Sequence, residues 1–548
     1  MYHYTVALPL RSVPMRLTVA LISFIWPIGL QAAEPQIAYP DKHEEWYVVK
    51  IQDARCGYMH SFSDRSGDEI HTRVRMSFRI ARADAKLEIT SDQRYRETLD
   101  GRPLSFSMVM SMGQMPVTNQ GVIADGKVKL ITEQSGLKRE ASYDFDPDVK
   151  FAWGQLLEQR RRGLKPGTSF TIKIYEPSMK ADGAIPLTLK VHAKERVDVL
   201  GKTQELYRIS STMKLDPAAI LAGAGSTASD PKDKSDVTAV PAGAMEITTD
   251  SWVDDDATPV IATLDMGIMK VNLYRTSREE ALTTDDAPEM FINTFIHVDR
   301  TVPKTAQEVV YRLKLPPGGK HRLPNLPDTT MQRFKRVSDR EGLLTVRRID
   351  WSALRSNAAR EDASRNLSPY LSATTMVDID DRRIKRLARR SVSSARSPAD
   401  KADAMRKFVT DYVSEKGLDV GFATASEVAR TRSGDCTEHA VLLAALARAN
   451  GIPSRGVSGL VQVPAGPFGA EGVKAFGYHM WTQVYIGGQW VDIDAAFRQT
   501  DCDPTHIALS LMPLGDEGMI ESIMAMFPLM GQLEIEVVDI REKSNDDQ

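Results

Sequence analysis

The chain has 548 residues, 42% hydrophobic and 26% charged, the balance of an ordinary globular protein rather than of a disordered or low-complexity one. At roughly 150 residues per domain, that length suggests about three or four domains. With 70 Lys plus Arg against 73 Asp plus Glu, the net charge of −3 offers no basic field for a polyanion, so nucleic acid is not an indicated partner.

Residues 1–33 read as a leader. Arg11 and Arg16 precede an apolar run, 17–30, and Gln31-Ala32-Ala33 supplies small residues for cleavage, so a signal peptide is expected. The run is short for a bilayer span and is interrupted by Pro27 and Gly29. The expectation is therefore an exported protein, periplasmic or secreted, with no stable membrane insertion after cleavage. Its only cysteines are Cys56, Cys436 and Cys502, an odd set that leaves at least one thiol unpaired in an oxidising compartment. Cys56 and Cys502 could pair or stay buried.

Residues 34–290 follow a period of two. Val74, Met76, Phe78 and Ile80 alternate with Arg73, Arg75, Ser77 and Arg79, and Phe170, Ile172 and Ile174 repeat the pattern. This predicts a β-rich N-terminal domain built on an antiparallel sheet with one wet face. Residues 151–162 break the period as a short amphipathic helix closed by Gly163, and the Arg160-Arg161-Arg162 run is expected to be its solvated end. Residues 222–244, rich in Ala, Gly, Ser, Asp and Pro, read as a flexible insertion between strands. A small β-sandwich-like domain is expected over 291–365, where Val309, Tyr311, Leu313 and Leu315 alternate before Pro316-Pro317-Gly318-Gly319.

Helical periodicity then takes over. Ile384, Leu387 and Ala388 give residues 380–390 an apolar stripe, with a dense basic face expected to meet solvent. Ser397-Pro398-Ala399-Asp400 reads as a capping box with Pro at the first helical position, opening a helix to about 415. The stretch 433–461 places Cys436 where a Gly-containing turn becomes a helix, with Asp435 as N-cap and Gly451 and Pro453 as the stop. Free N–H groups and the helix dipole favour an anion there. The dipole contributes roughly 0.3–1 kcal/mol, or about 2 in a sheltered geometry, against about 1.4 kcal/mol per pKa unit. It lowers a thiol pKa by about one unit, so a working nucleophile also needs an imidazole.

Residues 477–497 supply one. They read as a hairpin turning at Gly487-Gly488, with Ile486 opposite Gln489, Trp481 opposite Asp494 and His479 opposite Ala496. Asp494 is then a diagonal neighbour of His479 on one face, within reach of a carboxylate–imidazole bond. A register slip of one residue would turn it away. Cys436, His479 and Asp494 are thus a candidate nucleophile, base and orienting acid.

The blocks GDCTEHA around Cys436 with the later GIPSR, YHMW around His479, and QWVDIDAAF around Asp494 resemble the transglutaminase-like superfamily, of bacterial secreted type. The resemblance covers 366–505. It implies an α+β chain in which a papain-like core, with a helix-start cysteine packed on an antiparallel sheet, follows the β-rich N-terminal domains. It also implies the roles just given for Cys436, His479 and Asp494, with no cofactor and no metal. One departure is Asp494-Ala495, where many relatives have Asp-Pro. The implied activity is cysteine-dependent attack on protein or peptide amide bonds through a thioester, with hydrolysis favoured over cross-linking. The alternative is an idle core serving as a secreted binding or assembly module.

Several residues have plainer readings. Cys436-x-x-His439 lacks a second ligand pair at zinc-finger spacing, so Glu438 and His439 are expected to support the cleft rather than bind metal. Trp481 shares the His479 face as a wall or as core. His506 is expected to be a packed or surface histidine and not a base. Residues 506–548 are expected as a C-terminal helix, about 519–527, and a strand, about 533–538, packed on the core. Met524, Met526 and Met530 are read as filling.

Overall fold

The structure, a computed structural model, describes residues 42–542 apart from positions 52, 83–84, 113–114, 135–136, 178–179, 181, 216–244, 257, 266–269, 286, 289–293, 319–321, 357–365, 416–422, 464–473 and 515–528. The leader, the insertion at 222–244 and the helix expected at 519–527 lie outside the described residues. Among the described residues, no helix is long and apolar enough to cross a membrane.

The period of two in the first half produces a 14-stranded antiparallel sheet in which strands adjacent in sequence pair, except for Leu137–Asp144 and Ser169–Ile174 at its two edges, and Lys42–Ile51 pairs with Lys270–Thr276 to join its two halves. Met76, Phe78, Phe170, Ile172 and Ile174 are buried in one apolar cluster, with Val74 and Ile80 packed against it. On the alternate positions, Arg73 donates to Asp92 on the neighbouring strand at 2.9 Å. So wide a sheet curls, and the segment after one edge strand meets the other edge, where the Lys150 N–H donates to Lys173 O at 2.8 Å.

The helix Ala152–Arg162 lies between those edges in sequence. Its N-cap, Phe151, has no side chain able to accept a hydrogen bond. Glu97 serves in its place, accepting from the Trp153 and Gly154 N–H groups at 2.8 Å each. Burial pushes the Glu97 carboxyl up to about 8, against those N–H groups and Lys150. At the other end Gly163 closes the helix at φ +85°, and Arg162 pairs with Glu158 at 2.8 Å on the exposed surface.

The second half is built on two smaller antiparallel sheets. The five-stranded sheet runs Ile296–His297, Ala475–Ile486, Ser454–Gln462, Ile507–Met512, with Gln489–Ile493 also on Ala475–Ile486. The four-stranded sheet runs Gln332–Ser338, Glu341–Arg347, Ala306–Lys314, Glu534–Glu542. The expected self-contained sandwich at 291–365 therefore draws its fourth strand from the far end of the chain, with Val309 opposite Ile540. The physical reason is a shared core. Tyr311, Leu313, Leu344 and Val346 pack in one cluster with Leu460, Phe476 and Ile507 of the larger sheet, so neither layer buries its apolar face alone. The larger sheet also takes in Ile507–Met512, past the boundary expected at 505.

Helices Arg382–Ser391, Pro398–Tyr412 and Ala425–Thr431 surround Cys436–Ala449, and all four share a core with Met480, Val484, Val491 and Ile493 of the larger sheet. The capping box expected at Ser397 is present, with Asp400 N–H donating to Ser397 Oγ at 3.1 Å.

Replacing Glu97 with Ala strands the two buried N–H groups at the start of Ala152–Arg162. The expected loss is about 2–4 kcal/mol, read as a lower urea midpoint at unchanged slope.

Candidate active site

The hairpin has the expected register. Gly487 and Gly488 both have positive φ, +60° and +78°, as a two-residue hairpin turn requires, and Ile486 stands opposite Gln489. Pairing ends at Thr482 opposite Ile493. Asp494 then leaves the ladder and exchanges backbone bonds with Gln499 at 2.7 and 2.8 Å, so the expected Trp481–Asp494 and His479–Ala496 pairs do not form. The turn is held from outside, since Thr410 Oγ1 donates to Ala495 O at 2.6 Å.

Leaving the ladder does not carry the Asp494 side chain away. His479 Nε2 lies 2.7 Å from Asp494 Oδ2, with the two side chains only 4% and 1% exposed. Asp494 Oδ1 accepts from the Phe497 N–H at 2.9 Å. Burial alone would raise the Asp494 carboxyl, but the His479 charge and the hydrogen bonds from His479 and His506 hold it well below the usual range. Phe497 stands edge-on to His479 with centroids 4.5 Å apart. Trp481 is buried beside the same ring and donates from Nε1 to Asp492 Oδ1 at 2.9 Å, so it acts as wall and core together.

Cys436 sits at the first position of Cys436–Ala449. Asp435 caps that helix, accepting from Thr437 N–H at 2.9 Å, and Glu438 completes the capping box by accepting from Asp435 N–H, also at 2.9 Å. Glu438 is buried and its other oxygen accepts from Ala423 N–H at 3.0 Å, stitching the preceding segment to the turn. Burial and then the Asp435 charge push its carboxyl up to about 8. Gly434 has φ +153°, and a Cβ there would lie 2.2 Å from Glu438 Cβ, so the turn has room only for glycine. His439 places Nδ1 2.6 Å from Asp435 O and is spent on the backbone of the turn.

Cys436 is partly exposed, while Cys56 and Cys502 are buried; none of the three is in a disulfide, so no Cys56–Cys502 bridge forms. The helix that begins with Cys436 is bonded to the strand that carries His479, through Thr482 Oγ1 to Ala440 O at 3.0 Å.

His506 is packed, as one of its two expected readings had it, but its partner was not foreseen. It is fully buried, and its Nε2 lies 3.1 Å from Asp494 Oδ2, so two imidazoles share one carboxylate oxygen. No local pattern marks it, because Ile507–Met512 next to it is mostly apolar and Asp494 lies across a loop. The donor atoms of His479, Asp494 and His506 fall within 4.8 Å of one another, a spacing a divalent ion could also bridge. Both ring–carboxylate distances are nevertheless those of hydrogen bonds.

A helix-start thiol, a buried imidazole–carboxylate pair on the adjacent sheet and an α+β core define a cysteine-enzyme class. Residues 385–495 match the sequence model of the transglutaminase-like superfamily, so the chain carries a transglutaminase-like core; the match includes Cys436, His479 and Asp494 and ends before His506. No curated protein matches the chain. Among solved structures it is similar to a candidate cysteine protease from Cytophaga hutchinsonii, at 14% identity and TM-score 0.29, covering 43% of this chain and 87% of that one. It is also similar to a β-barrel-like protein of a domain of unknown function from Brucella abortus, at 15% identity and TM-score 0.29, covering 43% and 96%. A candidate protease from Parabacteroides distasonis follows at 13% identity and TM-score 0.17, covering 53% and 64%.

Substituting Gly434 with Ala forces the turn off Glu438. The expected result is a loss of about 1–3 kcal/mol in stability with slower alkylation of Cys436, measured by thermal unfolding and mass spectrometry.

Proposed function

We propose that this chain is an exported cysteine-dependent enzyme that acts on protein or peptide amide bonds, with Cys436 as nucleophile, His479 as base and Asp494 as the acid that orients the base. The observation that carries this reading is the buried 2.7 Å bond between His479 and Asp494, on a strand tied to the helix that starts at Cys436, a cysteine outside any disulfide. With Nε2 engaged by Asp494, Nδ1 is the ring atom left to exchange a proton with the nucleophile.

Cys436 gives its proton to His479, and the thiolate adds to the amide carbonyl carbon. The Cys436 N–H, at a helix start, is a natural donor to the developing oxyanion. Collapse breaks the C–N bond, His479 returns the proton to the departing amine, and a thioester remains. Water then adds to the thioester with His479 again taking the proton, which releases the acid and regenerates the thiol. Water is the acceptor that every such thioester meets, so hydrolysis is the proposed outcome; a lysine amine in its place would give a cross-link. Export rests on the Arg11, Arg16 and 17–30 pattern of the leader.

Burial pushes the Cys56 thiol up to about 12 and raises that of Cys502 as well, so alkylation near neutral pH reports on Cys436. Iodoacetamide is expected to modify Cys436 well below pH 8.5. A profile matching a model thiol, with no turnover of casein, overturns the reading. Mass spectrometry of a glutamine-rich protein incubated with the enzyme and a primary amine separates chain cleavage, a one-dalton gain and amine incorporation. Cleavage or the one-dalton gain is expected, falling at least about 10³-fold in Cys436→Ala. The exported form is expected to begin after Ala33, as N-terminal sequencing would show.

A further inference from the structure

His506 has an acceptor against each ring nitrogen. Nε2 lies 3.1 Å from Asp494 Oδ2, while Nδ1 lies 3.3 Å from Asp503 O and 3.7 Å from Asp503 Oδ1. A neutral imidazole has one N–H and one lone pair. With the side chain 0% exposed, a singly protonated ring would leave a buried lone pair facing an acceptor oxygen. A doubly protonated ring satisfies both sides.

We propose that His506 is a positioning residue: an imidazolium clamped between Asp494 and Asp503 that fixes Asp494 and divides its charge with His479. The inference rests on the reading of His479 as the base. Burial by itself would lower the basicity of His506, but its hydrogen bonds to Asp494 and Asp503, with their charges, carry it up to about 10. The groups around it are Asp503 on its own loop, Asp494 on the turn after the hairpin, and Asp492 on Gln489–Ile493, whose charge also reaches it. The rings of His479, Trp481 and Phe497 stand at 6.3, 5.1 and 6.4 Å.

The four-stranded sheet holds this cation in place. Tyr311 donates its hydroxyl to Pro504 O at 2.9 Å, and Gln332 donates to and accepts from the Ala508 backbone at 2.9 Å each, bracketing His506. Asp503 is fixed in turn by Gln499 Nε2 at 2.8 Å and Thr505 N–H at 3.0 Å. The chemical consequence concerns proton release. A carboxylate given wholly to His479 would hold its imidazolium tightly, whereas one shared with a second cation holds it less, so the proton passes more readily to a leaving amine.

The test uses the full-length protein labelled with ¹⁵N-histidine, the His506 signals being assigned by their loss in His506→Gln. Both His506 ring nitrogens are expected to stay protonated up to pH 8, and a ring that is neutral at pH 7 overturns the proposal. In His506→Gln, which keeps a donor toward Asp494 but removes the charge, the pH profile of kcat is expected to shift from that of the unaltered protein. Hydrolysis is expected to fall about tenfold in kcat with KM unchanged. A lower Tm with an unmoved pH profile marks a purely structural residue and also overturns the proposal. Should the variant not fold, difference spectra against the other histidine variants give the assignment and the ring measurement on the unaltered protein decides. Since that measurement needs no turnover, an inert Cys436 would sink the proposed activity and leave the charge state of His506 to be read independently.

Discussion

Asp494 is a charged group with 1% of its side chain exposed, and stripping water from a carboxylate costs several kcal/mol unless donors replace it. Its donors are His479 on a strand, the Phe497 N–H on the following turn and His506 beyond the next loop. Each of these segments is anchored elsewhere. Thr482 ties the strand to the Cys436 helix, Thr410 holds the turn, and Tyr311 with Gln332 holds the loop. One carboxylate thus gathers the helical layer, the core sheet and the four-stranded sheet around a single point.

The helix that begins at Cys436 is constrained differently. From Glu438 to Arg448 every residue of Cys436–Ala449 is buried, so the helix needs cover on all sides and receives it from three helices and a sheet. Its N-terminus is the end left partly open, and that end carries Cys436. The turn leading to it is shaped by close approach, since Gly434 lies against Glu438, whose carboxyl bonds to Asp435 and Ala423. Cys436 thus follows a Gly-containing turn whose shape is fixed by packing.

Two helices show how an N-terminus can be satisfied locally or at a distance. Cys436–Ala449 carries its own capping box in Asp435 and Glu438. Ala152–Arg162 begins after Phe151, which offers no acceptor, and borrows Glu97 from a strand more than fifty residues earlier. The first arrangement is legible as a sequence signature, while the second depends on the large sheet having already placed Glu97 there.

The amino-acid order by itself determined what short-range periodicity and turn chemistry can determine. The alternation at Val74–Met76–Phe78, the capping boxes at Ser397 and Asp435, and the Gly487–Gly488 turn with its register follow from neighbours within one hairpin or one helical turn, whereas the His479–Asp494 contact is made from a turn outside the ladder that Thr410 holds. Tertiary structure alone decided three further points. Glu534–Glu542 completes a sheet begun at Ala306–Lys314, the core sheet continues past 505, and His506 turns inward to share Asp494. The physical reason is common to all three. A strand's edge and a buried ring's partner are chosen by which distant surfaces lose water together, and no pattern within a single segment encodes that choice.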